Sequence, residues 1–132
     1  QRWGLTNGKN VEKTEEDLMK AEISKREQLV GRVNKAVEEY FDKNATNTRV
    51  PFHLIVDGEA KSHIINIGTS IMLNRLGVNT YPGSFVQAVL DNDLSGAFSR
   101  ADSVNSQVLG FYITMMYNLG IDITIQEIEE AS

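Results

Sequence analysis

The chain has 132 residues and 41% hydrophobic side chains, enough for one core and too few for two ordinary domains. Its formal charge of -5 argues against a protein built to neutralise phosphate, which needs a basic face or tail, so nucleic acid is not an expected partner. The absence of cysteine excludes a disulfide framework, a thiolate nucleophile and a cysteine metal site, and no run reaches the roughly 18 to 20 apolar residues that a membrane span takes.

Charge is laid out unevenly along the chain. Residues 1–45 hold nine Lys/Arg and nine Asp/Glu, whereas residues 46–132 hold four basic and nine acidic residues, so the second part carries the whole deficit. Residues 1–13 contain two glycines and two asparagines without periodicity and are expected to form a flexible arm, in which Trp3 is a contact for its own protein or a neighbouring subunit. Thr14 followed by Glu15, Glu16 and Asp17 is a helix start, with a capping hydroxyl and carboxylates at the positive end of the dipole. That helix is predicted to run to Lys43 within a segment of residues 14–45. Met19, Ile23, Val30, Val33, Val37 and Tyr40 step along it by threes and fours, a heptad-like seam interrupted by Arg26. A helix this long reaches on the order of 40 Å, more than the width of a compact domain of this size, so its first half is predicted to project or to lie on another subunit. Trp3, Met19, Ile23, Val30, Val33 and Val37 are accordingly the candidate contacts of a homo-oligomer. The competing expectation is a solvated helix held by i,i+4 charge pairs.

Residues 46–132 are expected to form a helical core domain. After a polar break at Asn44 to Thr48, Val50 to Val56 has the composition of a strand, which Pro51 confines to an edge or to starting at Pro51 itself. Glu59 to Leu76 turns helical, with Ile64, Ile65, Ile67, Ile71, Met72 and Leu76 on one face and Gly77 closing it. Pro82-Gly83 is a turn and Ser84 an N-cap for a helix from Phe85 to Ser99. Val104 to Leu119 is apolar almost all round and is predicted to be a second, central helix, the most buried of the chain. Ile121 to Ile125 alternates as a short strand does, and with Phe52 to Val56 it is a candidate for a minor two-stranded β ribbon. The expected fold class is therefore mainly α, one small helical domain with a long projecting N-terminal helix.

No phosphate loop, dinucleotide fingerprint, zinc-protease helix, nucleophile elbow or calcium loop is present. His53 and His63 do not share a metal-ligand spacing, so no metal and no cofactor is expected. Asp91 and Asp93 resemble a carboxylate pair, but two residues apart on a continuous helix they would point away from each other. What remains is a polar set in the most apolar part of the chain: Asn92, Asp93, Arg100, Asp102 and Asn105. One reading makes it structural, with Asp102 capping the central helix, Arg100 paired to a carboxylate and Asn92 satisfying backbone. The other makes it a binding surface, for a protein partner or for a small anionic ligand such as a nucleotide.

Pro82-Gly83-Ser84-Phe85, Ala88-Val89-Leu90, Asn92-Asp93-Leu94, Arg100-Ala101-Asp102, Asn105 and Tyr117-Asn118 together resemble the recurring pattern of a group of small proteins common in tailed bacteriophages. The likeness covers Pro82 to Asn118. It implies an origin, a phage accessory gene expressed in the host bacterial cytoplasm, and no particular chemistry. The expectation is a non-enzymatic accessory protein that binds a host or phage protein, with two alternatives: a binder that sequesters a nucleotide signal of bacterial immunity, and a structural component of the virion.

Overall fold

The structure is a computed structural model that describes residues 14–78 and 80–131. The arm of residues 1–13 with Trp3, and the side chain of Ile23, lie outside the described residues. Among the described residues there are eight helices and no strand: α1 (Glu15–Asn44), α2 (Phe52–Val56), α3 (Gly58–Leu76), α4 (Ser84–Leu90), α5 (Leu94–Arg100), α6 (Ser103–Gln107), α7 (Leu109–Asn118) and α8 (Ile125–Ala131). None of them is long and apolar enough to cross a membrane.

A capping box opens α1. The Thr14 hydroxyl accepts from the Asp17 N–H at 3.1 Å, and the Asp17 carboxylate accepts from the Thr14 N–H at 3.4 Å. Thirty residues carry the helix about 45 Å, and residues 14–20 are exposed, so its first turns stand clear of the core. Further along, Leu29, Val33, Val37, Phe41 and Ala45 recur at every fourth position and are buried. This stripe packs on α3 and, towards the N-terminal side, on α8. Val33 and Val37 are 0% exposed, which withdraws them from the proposed seam between copies. Heptad spacing locates an apolar face, but not whether the same chain covers it. Val30 is half-buried, and Met19 is 59% exposed.

The hub of the molecule is α3, which touches α1, α2, α4, α6 and α7. Asp57 caps its start by accepting from the N–H groups of Glu59 and Ala60, and Gly77, at φ 101°, ends it in the left-handed conformation that glycine takes without penalty. Ile64, Ile65, Ile71, Met72 and Leu73 are buried along it. Gly68 sits where α1 and α7 press closest: a Cβ there would lie 2.9 Å from Val37 Cγ1 and 3.4 Å from the Met115 sulfur.

Three expectations are corrected. Phe52 to Val56 is the short helix α2, because Pro51 supplies a preset φ at its start and its carbonyl accepts from Leu54 and Ile55. With Ile121 to Thr124 forming no strand either, there is no β ribbon among the described residues. The helix from Phe85 to Ser99 is broken at Asn92, whose φ of 59° is left-handed, and restarts on the Asp93 cap. Val104 to Leu119 is likewise two helices, α6 and α7, meeting at Val108. Around that break the Ser103 carbonyl accepts from the Ser106 hydroxyl and the Gln107 amide, side chains that compete with the helix's own ladder. The second of these helices buries Phe111, Tyr112, Met115 and Met116 but leaves Tyr117 exposed and Ile113 half-exposed, so α7 is a wall of the core with one open side. Its aromatic residues continue a row of ring contacts, Phe41 to Phe111 at 5.4 Å, Phe111 to Tyr112 at 5.9 Å and Tyr112 to Phe85 at 5.9 Å, that ties α1, α7 and α4 together.

Candidate functional site

The five polar residues singled out from the sequence fall into two groups by their partners. Asn92, Asp93 and Arg100 belong to the α4–α5 turn. There the Asp93 carboxylate accepts from the Gly96 N–H at 2.9 Å and faces Arg100 across 4.0 Å, a loose pair in which both side chains are half-exposed. Gly96 is buried beneath them, and a methyl group in its place would collide with both charged ends. Asp102 and Asn105 belong to the start of α6. One oxygen of Asp102 accepts from the Asn105 N–H at 2.7 Å, and the other lies 2.8 Å from His63 Nε2, which links α6 to α3.

Asn105 is buried, and its side-chain oxygen accepts from the Tyr112 hydroxyl at 2.7 Å. Burial, with the nearby Asp102 carboxylate, holds the Tyr112 hydroxyl well above the usual phenol range, so it stays a neutral donor. Asp102 and Asn105 are therefore committed to the internal order of the domain. Sequence gave no sign of His63 as the partner of Asp102, because the two are 39 residues apart on different helices.

Asp91 and Asp93 do not diverge as they would on an unbroken helix. Once the chain turns at Asn92 they line one hollow of about 220 Å³ together with Ser84, Gln87 and Arg100. Among the described residues no three metal-binding side chains converge there or elsewhere.

Beside this polar hollow, sharing Ala88 and Asp93 with it, lies an apolar one that the sequence did not reveal. Ala88, Val89, Leu94, Ala97, Leu109 and Ile113 line a cavity of about 130 Å³ between α4, α5 and α7. Its floor is made of small residues, Ala88 and Ala97, and at its edge Leu94 is 64% exposed, with Phe98, one turn further along the same face of α5, 62% exposed. Taking the remaining exposed surface of either out of water is worth about 1–2 kcal/mol. Such a hollow can take up an apolar side chain, with Asn92 and Asp93 at its polar edge.

The fold and this site define an all-helical domain with an apolar surface hollow set beside a charged turn. No protein-family model, no curated protein and no solved structure matches the chain.

Proposed function

We propose that the chain is a non-enzymatic bacteriophage accessory protein, acting in the host bacterial cytoplasm by binding a host or phage protein and associating with copies of itself. The observation that carries the partner-binding role is the hollow between α4, α5 and α7, with Leu94 exposed at its edge and Phe98 exposed one turn further along α5. Exposed apolar surface rimmed by polar groups is a mark of an interaction site. Self-association is assigned to the first turns of α1, where Leu18 and Met19 are both at least half exposed on a helix that stands clear of the core. The resemblance of Pro82 to Asn118 to the phage group supports the origin.

A nucleotide-sequestering role ranks second. Arg100 is the one cation of the polar hollow, and Asp91 and Asp93 beside it oppose an anionic ligand. A virion role ranks third and predicts the chain in purified particles.

Photo-crosslinking tests the binding role. A benzophenone amino acid at Phe98 is expected to give one adduct of discrete mass in infected cells, and the same group at Lys43 is expected to give none. Equal or absent adducts at both positions would remove the partner-binding claim. For self-association, light scattering should show a mass above the monomer that Leu18→Glu with Met19→Glu abolishes, and a strict monomer at all concentrations refutes it.

A further inference from the structure

The partner-binding role just given leaves open what the hollow receives, and its surroundings narrow the answer. From Leu76 to Ser132 the chain contains a single basic residue, Arg100, against seven acidic ones. Several of those carboxylates already have partners: Glu127 meets Arg32, Glu130 meets Lys25 at 2.8 Å, and Asp102 meets His63. Asp91 and Asp93 stand apart from these. Asp91 accepts only from the neutral Gln87 amide, at 3.0 Å, and pairs with no cation among the described residues, while Asp93 has Arg100 at the outer limit of an ion pair. Both carboxylates line the hollow that continues the apolar one through Ala88 and Asp93, so an apolar anchor and two acceptor carboxylates lie within one side chain's reach of each other.

The size of the apolar part is also informative. At about 130 Å³ it is close to the cavities of about 150 Å³ that take up one benzene ring, which suits one aromatic or large aliphatic side chain and not a row of them. The exposed first turns of α1 from a second copy are a poor occupant. Leu18 and Met19 are flanked there by Glu15, Glu16 and Asp17 against the single Lys20, which brings negative charge to negative charge.

Resting on the partner-binding role of this site, we infer that the α4–α5–α7 hollow docks a basic protein segment that presents one bulky apolar side chain flanked by lysine or arginine. The apolar side chain fills the space over Ala88 and Ala97 beside Leu94, with Phe98 one turn away on α5 to extend the contact, and the flanking cation pairs with Asp91, the carboxylate that Arg100 does not meet. Charge sets the partner's class and the speed of encounter, and the anchor sets the lifetime of the complex.

The probe is a short lysine-rich helical peptide with one central phenylalanine, titrated into the isotope-labelled protein and followed by amide chemical shifts. Two twins accompany it, one with serine for the phenylalanine and one with glutamate for every lysine. Shifts are expected to be confined to α4, α5 and the first half of α7. Loss of the phenylalanine should weaken binding at least about tenfold, and the Asp91→Asn, Asp93→Asn variant should weaken it severalfold and flatten its salt dependence. Asparagine also caps helices, so that variant is expected to fold. Equal binding by the serine twin, or shifts spread over α1 and α8, overturns the proposal as non-specific attraction to an acidic protein. A glutamate twin that binds in the same place overturns the basic partner while keeping the binding site, whereas silence of these amides to all three peptides overturns both. Shifts in the same amides on concentrating the protein alone would assign the hollow to a second copy and likewise overturn the proposal.

Discussion

Asn92 and Asn105 are both short amides, and the fold uses them for unrelated ends. Asn105 keeps the Tyr112 hydroxyl satisfied in the core, so Asn105→Ala is expected to destabilise the protein by about 1–3 kcal/mol, the cost of a stranded buried donor. Adding Tyr112→Phe should cost less than the sum of the two single changes, because the second removes the group that the first left unpaired; denaturant melts of the cycle measure the difference. Asn92 occupies a left-handed turn that asparagine tolerates better than other residues with a Cβ. Asn92→Gly should leave stability nearly unchanged and Asn92→Ala should lower it by about 1 kcal/mol. Both asparagines were visible as members of a polar set before their partners were. A residue's type and its place at a helix end can be read along the chain, but the hydroxyl or the φ angle it serves depends on which helices meet.

At the scale of elements, helix starts were the most legible feature. Thr14 and Asp102 cap as their sequences indicate, and Gly77 ends α3 where a glycine was expected to, whereas Ser84, expected to cap α4, is its first residue, with Gly83 in the cap position and no side-chain cap bond. Interruptions were less legible: Pro51 began a helix instead of edging a strand, and Asn92 and Val108 split two apolar runs that periodicity alone joins. The α4–α5–α7 hollow went unseen for the same reason, since it exists only because those runs are split and folded onto one another. A further start, on α8, was hidden by the strand-like alternation of Ile121 to Ile125. Thr124 and Glu127 form a reciprocal cap there, with the Glu127 N–H donating to the Thr124 hydroxyl at 3.1 Å and the Thr124 N–H donating to the Glu127 carboxylate at 3.0 Å. That backbone hydrogen bond, followed by Arg32, holds the Glu127 carboxyl below its usual range. A carboxylate whose folded pKa is depressed stabilises the native state above its unfolded pKa of about 4.3, and that contribution is lost as pH falls through the folded value. Glu127→Gln should therefore melt below the parent at neutral pH, and the gap should close in acid; calorimetry across that window checks it. A gap that stays constant with pH would mean that the charge of Glu127 is not what stabilises α8.

For the whole molecule, the strap made by α8 sets an order of events. Its polar ties run from Lys25 to Glu130, from Arg32 to Glu127 and to the Asp122 carbonyl, and from Arg26 to the Ala131 carbonyl, joining residues 90 to 105 positions apart. Closing a loop of that length in an unstructured chain costs about 4 kcal/mol, whereas an exposed ion pair returns about 0.2–1 kcal/mol, so these ties cannot lead folding. Once α7 is seated on α3, only residues 119–124 have to close, and Ala131 and the half-buried Ile128 then complete the attachment. The amides of α8 should accordingly exchange with solvent faster than those of α3, by a margin that widens with salt. A nascent chain that has released Asn118 but not Ala131 therefore holds most of its core while Leu29 still lacks its cover, an interval in which a chaperone or a second unfinished copy meets bare leucine.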